Sequence, residues 1–390
     1  MTTHPDICVI VPTIRHPDCV RAYVQNARSH GFNTDRLHFL ILTEDFCDIS
    51  AIESMLERLE VRGGVYDEST RRDWFDTQEI TEYTHLIPEA SHAQTSFGLL
   101  YMWANETFKF GVFIDDDTAP HDECDFFGQH LRNLSHGGRM PTAQSDAQWV
   151  NVLYQSSTDL YPRGYPYQAM DAKVNTVSTD VDTVVASQGL WTNVPDLDAV
   201  RILMDGDLNG QAKTRTTSDD YKQDFTVAEG QYLTVCSMNL AFRREIIPAF
   251  YQFPMDDNQW EVGRFDDIWS GVLLKRAVDL QDKTIYNGAP LCAHNKAPRS
   301  TFGDLANEVA GLELNEHFWE VIDAVNPERE SYRGTAVAVG KRLEQGDFSS
   351  WQNGAFLNHC GKYLLDWLDC LEAITSHSAN PSATEVIAGD

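Results

Sequence analysis

Phe113-Ile114-Asp115-Asp116-Asp117 ends a short apolar run with three consecutive carboxylates. An apolar run of that length reads as a buried strand, and ligands of open α/β sheets gather at the carboxyl ends of strands. Adjacent acids repel. At an effective dielectric near 20, two unit charges about 4 Å apart cost roughly 4 kcal/mol, so the cluster is most comfortable beside a cation. Carboxylate oxygens suit Mg²⁺ or Mn²⁺, ions that bridge diphosphate oxygens while keeping some of their waters. The same triple can be read as an acidic loop of an acidic protein, but its place directly behind an apolar strand favours a site.

The segments before this stretch alternate strand and helix patterns. Ile7-Cys8-Val9-Ile10-Val11 reads as a buried strand, and His16-Pro17-Asp18 opens a helix that Gly31 closes. Leu37 to Leu42 is a second strand, Asp48 caps a helix to about Glu60, and a longer helix runs from about Ser91 to Phe108. This order predicts an α/β fold with a mostly parallel sheet covered by helices. Beyond Gly137 the expected elements are strands at Trp149 to Leu153 and Leu233 to Cys236, with a helix near Arg244 to Tyr251. From about residue 303 to 375 the pattern is helical, and residues 376–390 form a polar tail expected to be mobile. The expected organisation is therefore a catalytic domain over 1–302, a helical C-terminal region, and a tail.

The 390 residues carry 30 Lys+Arg against 59 Asp+Glu, a formal charge of -29. Such an excess repels phosphate backbones and anionic lipids, which excludes nucleic-acid and membrane-surface binding as expectations. Nine Lys against twenty-one Arg, with abundant Asp, match the solvated surface of a salt-adapted intracellular protein. No apolar run approaches a membrane span or a signal-peptide core, so the expected compartment is the cytoplasm. Eight widely spaced cysteines without Cys-x-x-Cys indicate buried thiols, not a zinc knuckle or a disulfide framework.

Other residues fall where chemistry is expected. His294, in Ala293-His294-Asn295-Lys296, is the nitrogen donor that would complete an oxygen-rich metal site with Asp115 and Asp117, and Lys296 lies on the same side of an extended segment, suited to a phosphate. Pro12 ends the first strand and puts Thr13 and Arg15 at the sheet edge that carries the acids, where Arg15 would hold a phosphate bidentately. Glu44 and Asp45 follow the second strand and suit a base or ribose. Tyr161-Pro162-Arg163-Gly164-Tyr165-Pro166-Tyr167 reads either as a rigid turn or as an aromatic wall around one exposed cation. In Arg264-Phe265-Asp266-Asp267-Ile268-Trp269 one Asp can be a helix N-cap, leaving the other free for chemistry.

Taken in order, these segments resemble the reversibly glycosylated polypeptides, a family of UDP-arabinopyranose mutases on a GT-A type glycosyltransferase fold. The resemblance runs from about Ile7 to Trp319. It rests on Val11-Pro12-Thr13-Ile14-Arg15, the Asp triple, Arg163-Gly164-Tyr165-Pro166, the run from Gly189 through Trp191 to Asp196, Met238-Asn239-Leu240-Ala241-Phe242, the Gly263 to Trp269 segment and His294-Asn295-Lys296-Ala297. It implies a UDP-sugar bound through Mn²⁺ or Mg²⁺ at the triple, including Asp116, with Trp191 and Asn239 among the binding residues. It also matches Arg163 to the position that becomes reversibly glycosylated. Thr43-Glu44-Asp45-Phe46-Cys47 departs from the family's Gly-containing acidic turn, and the helical stretch after Trp319 has no matched counterpart.

A mutase must break the bond from the anomeric carbon to the diphosphate, let the sugar exchange its ring oxygen, and rejoin it. A metal at Asp115 and Asp117 would stabilise the leaving UDP, and Asp266, Asp267 and Arg163 are the catalytic candidates beside the sugar. A guanidinium is a weak nucleophile, so Arg163 is expected to clamp the diphosphate. A retaining or self-glycosylating transferase and a non-catalytic nucleotide-sugar-binding protein stay open as alternatives, as does assembly into a homo-oligomer.

Overall fold

The first strand, β1 (Ile7–Pro12), is hydrogen-bonded in parallel on both sides, which is why its residues from Ile7 to Val11 are wholly buried. The computed structural model describes residues 4–327 and 331–378. After β1 come α1 (Cys19–Ser29), β2 (Leu37–Leu42), α2 (Ile49–Arg58), β3 (Arg62–Tyr66), α3 (Glu68–Thr77), α4 (Gln94–Ala104) and β4 (Phe110–Ile114). Next are β5 (Thr118–Pro120), α5 (Phe126–Leu134), β6 (Gly138–Ser145), β7 (Val174–Val181), β8 (Val184–Asn193), α6 (Ala199–Asp205), β9 (Phe225–Val227) and β10 (Asn239–Arg243). The described chain ends with α7 (Asp266–Asp279), β11 (Thr284–His294), α8 (Thr301–Asp323), α9 (Tyr332–Gln345) and α10 (Ala355–Ser378).

These strands form one α/β sheet in the order β3-β2-β1-β4-β10-β8-β11-β9-β6-β7, with β5 paired to β11. The block β3-β2-β1-β4 is parallel, as strand-helix alternation requires. Antiparallel β10 joins β4 to β8, and β11 runs parallel to β8. The carboxyl ends of β1, β4 and β11 therefore open on one edge of the sheet, with Asp115 just past β4 and His294 closing β11. Local signals behave as read: Asp48 caps α2 by accepting from the Ala51 amide, and Cys19 to Ser29 form the helix that Gly31 follows at φ 69°.

Several expected elements are replaced, each for a visible reason. Trp149 makes only an isolated bridge to Tyr232, and the chain then turns because the Asn151 side chain accepts from the Leu153 amide and donates to the Leu160 carbonyl. Leu233 to Cys236 stays irregular: the Gln188 side chain donates to the Thr234 carbonyl and accepts from the Cys236 amide, supplying the bonds a neighbouring strand would make. The strand in this region is β10. Arg244–Ala249 is a short 3₁₀ turn containing Pro248, which cannot donate to a longer helix. The helix expected from Ser91 begins at Gln94, because the Asp256 carboxylate holds the Ser91 hydroxyl and the His92 amide ahead of it.

The C-terminal helices pack on the rest of the chain. α8 contacts α6 and α7, and α9 and α10 pack on each other and close one shared hydrophobic core. Gly311 lets α8 approach closely, since a Cβ there would meet the Phe265 ring at 2.4 Å. α10 continues to Ser378, so the expected tail is helical at its first residues, and the remainder of it lies outside the described residues. All eight cysteines are free and six are buried. Among the described residues no helix is long and apolar enough to cross a membrane.

Candidate active site

A cleft of about 750 Å³ lies at the strand ends, lined by Pro12 from β1, by Asp115 and Asp117 after β4, and by His294 closing β11. Asp266 and Asp267 enter it from the first turn of α7, where the helix N-terminus favours anions. Arg163 and Asp196 enter from loops, and Lys296 and Arg299 from the segment after β11. An outer arm of about 1110 Å³ continues past Thr13, Arg15 and Asp116, sharing Asp115, Asp117, Lys296 and Arg299 with the inner cleft.

The metal candidates meet in part. His294 Nδ1 donates to the Val194 carbonyl at 2.7 Å, which turns Nε2 toward Asp117 Oδ2 at 3.6 Å. A ring nitrogen and a carboxylate oxygen at that distance suit a shared proton or cation, and a carbonyl-oriented imidazole is the usual posture of a metal-ligating histidine. Burial, then Asp117, Asp267, Asp116 and Asp196, push the Asp115 carboxyl well above its usual range. A divalent cation would remove that penalty, so the donor set fits one. Among the described residues, however, no three His, Cys, Asp or Glu side chains converge into a complete metal cage. The protein donors alone are an open, partial shell, as Mg²⁺ and Mn²⁺ sites shared with phosphate and water are.

Arg163 is the main correction to the expected site. Its side chain is only 10% exposed, not a solvent-accessible loop cation. Nε donates to Asp196 at 3.1 Å, Nη1 and Nη2 donate to the two oxygens of Asp267 at 3.1 Å each, and Nη1 also donates to the Arg264 carbonyl. Gly164 makes this possible: at φ 84° it sits where a Cβ would meet the Ile268 side chain at 2.4 Å, so the loop packs directly on α7. Burial alone would lower the Arg163 pKa, but Asp196 and Asp267 outweigh it and hold the guanidinium charged. Burial likewise raises Asp196, and Arg163 ahead of Lys296 more than reverses it. Every strong donor of Arg163 is thus engaged within the protein.

The two acids of α7 differ as well. Phe265 occupies the N-cap without a side-chain cap, so neither Asp266 nor Asp267 is a cap. Asp267 is paired with Arg163, whereas Asp266 lines the cleft, its carboxyl pushed up to about 6 by burial and then by Asp267.

Lys296 is 6% exposed, and its Nζ has no hydrogen-bond partner although it borders both arms of the cleft. A buried ammonium without a partner is costly unless an anion completes it. Two further cations stand beside it. Arg299 donates to Asp304 at 2.8 Å, and Arg264, held at φ 63°, donates to Glu308 at 2.7 Å and faces Asp304 at 3.4 Å. Both carboxylates come from α8. Arg264 and Arg299 carry the strongest signal missed in the sequence: the first sits inside the Gly263 to Trp269 segment and the second three residues after Lys296.

Other expected residues lie elsewhere or are spent on each other. Arg15 donates through Nε to Asp116 at 2.9 Å, and Thr13 donates to the same carboxylate at 2.7 Å, so Arg15 and Asp116 neutralise one another at the outer rim. Tyr165 is buried, its hydroxyl donating to the Ala169 carbonyl at 2.8 Å, and it lines no part of the cleft because its ring packs against Trp149 and Tyr161. Trp191 is 2% exposed within the core and is also absent from the walls. Asn239 is buried beneath the site, accepting from His130 at 2.8 Å and donating to the Leu190 carbonyl. Asp45 is exposed, accepts from the Ser69 amide at 3.3 Å, and stands off the cleft.

Fold and cleft together define an α/β protein with an acidic pocket at its strand ends, fitted for a divalent cation and an anionic ligand. The chain belongs to the reversibly glycosylated polypeptide family, whose model matches residues 52–367. It is similar to UDP-arabinopyranose mutase 3 of Arabidopsis thaliana, 31% identical over 221 residues covering 54% of this chain and 52% of that protein. UDP-arabinopyranose mutase 1 of the same plant is 34% identical over 49% of this chain and 46% of its own length, and a probable UDP-arabinopyranose mutase 1 of Solanum tuberosum is 27% identical over 68% of each. The chain spans about half the length of the first of these relatives. Among solved structures, glucosyl-3-phosphoglycerate synthase from Mycobacterium tuberculosis in complex with Mg²⁺ and uridine-diphosphate is 12% identical, with a TM-score of 0.40 over 80% of this chain and 79% of that one. A mannosyltransferase from Pyrobaculum calidifontis in complex with GDP-Man and Mn²⁺ is 12% identical, with a TM-score of 0.33 over 98% of this chain and 89% of that one.

Proposed function

We propose that this protein is a UDP-sugar pyranose/furanose mutase that reversibly breaks the bond between sugar and diphosphate with the help of Mn²⁺ or Mg²⁺. The observation that carries the reading is the joint lining of one cleft by Asp115, Asp117 and His294, by the unpartnered Lys296 with Arg299, and by the carboxylates of α7. Relatives named UDP-arabinopyranose mutases support it.

Asp115, Asp117 and His294 would hold the ion, which when bound supplies charge neutralisation for the departing diphosphate. Lys296 and Arg299 take the β-phosphate, supplying donors that the protein leaves unsatisfied. The clamp expected of Arg163 passes to these two residues, because its own donors hold Asp196 and Asp267. Arg163 fixes both of those acids in place through its hydrogen bonds, close to the sugar, where they face the positive charge that develops at the anomeric carbon.

A glycosyltransferase reading is favoured by one feature. Beyond His92, Arg264 and Arg299 the cleft opens into a polar arm of about 1250 Å³ bordered by Asp256, Asn258, Glu261 and Asn307, room for a hydroxylated acceptor. Incubation with a panel of UDP-pyranoses and UDP-furanoses plus Mn²⁺, followed by separation of products, tests both. A ring isomer of the supplied UDP-sugar is expected. Free UDP with sugar on the protein or on an acceptor would indicate transfer, and unchanged substrate would indicate a binding protein.

A further inference from the structure

Exchange of a pyranose for a furanose, the reading on which this inference rests, moves one proton between two sugar oxygens. For a pentose, the C1–O bond to the β-phosphate breaks and its electron pair leaves with the phosphate. O4 then bonds to C1, and its proton goes to a base. The C1–O5 bond breaks next, O5 keeps that electron pair and takes a proton from an acid, and a β-phosphate oxygen closes on C1. Atoms and charge balance without water or a second substrate if one group accepts the O4 proton and returns it to O5.

Such a group must line the cleft and be free of any lasting ion pair. Five carboxylates line the inner cleft: Asp115, Asp117, Asp196, Asp266 and Asp267. Asp196 and Asp267 are locked on Arg163, Asp117 faces His294, and Asp115 belongs with Asp117 and His294 to the proposed metal set. Among the described residues the carboxylates of Asp115 and Asp266 take part in no hydrogen bond or ion pair, and of the two only Asp266 lies outside the proposed metal set, one residue from the Arg163–Asp267 pair.

We propose that Asp266 is the catalytic acid-base that carries the proton from O4 to O5. The charged groups around it come from each neighbouring segment: Asp267 on its own helix, Arg163 from the loop packed on α7, His92 from the segment ahead of α4 and Asp256 from the segment ahead of α7. The cations Arg264, Lys296 and Arg299 border the same space. Burial first and Asp267 second bring its carboxyl up to about 6, where both giving and taking a proton are feasible near neutrality. Asp267, with both oxygens engaged by Arg163, is not free to take and return a proton in this way.

The test is Asp266→Asn, nearly identical in shape, compared with the parent chain in Mn²⁺ by two readouts. The first is interconversion of UDP-pyranose and UDP-furanose. The second is positional isotope exchange, in which ¹⁸O placed in the C1–O–P bridge scrambles into non-bridging β-phosphate positions whenever that bond breaks and re-forms. The parent is expected to do both. The variant is expected to keep scrambling within several-fold while interconversion falls by about 100-fold or more, the usual scale of general acid-base catalysis, and Asp266→Glu should recover part of the lost rate. Interconversion by Asp266→Asn at near-parental rate overturns the proposal. Simultaneous loss of scrambling and interconversion also overturns it, since Asp266 would then act in bond cleavage or in the fold. A parent that never interconverts ring forms removes the mutase reading itself, a failure seen before any variant is made.

Discussion

Arg163 and Asp267 are joined by two parallel hydrogen bonds, Nη1 to Oδ1 and Nη2 to Oδ2, each 3.1 Å, inside a pocket where both side chains are about 10% exposed or less. Arg163→Ala leaves Asp267 and Asp196 as buried, unpaired anions, and should destabilise the protein by about 3–5 kcal/mol. Arg163→Lys keeps one charge but cannot reach both acids with the same fork, and should lie between the two. Urea unfolding of the three proteins checks this. Unchanged midpoints would mean that the guanidinium is free for ligand after all.

Lys296→Met removes an ammonium with no hydrogen-bond partner and keeps the length of the side chain. Affinity for UDP in the presence of Mn²⁺ should fall by about 10- to 150-fold, the loss of a charge-assisted hydrogen bond worth about 1.5–3 kcal/mol. The ligand-free variant should melt close to the parent, because relieving a buried ammonium without a hydrogen-bond partner offsets the lost attraction to Asp196. Calorimetric titration with UDP and a thermal melt without it give the two numbers.

Asp117→Asn should weaken Mn²⁺ binding while leaving the fold intact, since the carboxamide retains the shape facing His294 Nε2. Excess chelator should abolish turnover in the parent, with Mn²⁺ or Mg²⁺ restoring it. The paramagnetic signal of free Mn²⁺ measures the affinity, and full activity in excess chelator would remove the metal from the mechanism.

Asp266 sets a pH dependence of stability with a definite sign. Its folded pKa of about 6 exceeds the ordinary carboxylate value of 3.8, so between those values the folded state binds more proton than the unfolded one. Stability contributed by this group therefore declines as pH rises from about 4 through about 6, by up to ~3 kcal/mol. Asp266→Asn removes the ionisation, and its advantage over the parent should grow across that window and level off above it. Parallel stability curves for the two proteins from pH 4 to 8 would contradict this.

A charge of -29 destabilises the compact state by self-repulsion where screening is weak. The Debye length falls from about 30 Å at 0.01 M salt to about 3 Å at 1 M. The melting temperature should rise with KCl across that range, as a salt series in differential scanning calorimetry would show, and a flat profile would make the acidic surface incidental.

The sequence by itself determined the alternation of β1, α1, β2 and α2, the strand that ends at Ile114, and the gathering of Asp115, Asp117, Asp266, Asp267, His294 and Lys296 as site candidates. Those are local properties: an apolar period, a cap, or a polar cluster behind a strand is written in neighbouring residues. Only the tertiary structure decided which of those charges are free. Arg163 looks like an exposed turn cation until Asp196, 33 residues away, and Asp267, 104 residues away, close on it. Arg15 looks like a phosphate ligand until Asp116 takes its fork, and Tyr165 like a ligand wall until Trp149 and Tyr161 cover it. The irregular segment at Leu233 to Cys236 depends in the same way on a Gln188 side chain reaching across from β8. Whether a buried charge is spent on a partner or left for a ligand depends on distances between segments far apart in the chain, and the sheet order with the docking of α7 and α8 sets those distances.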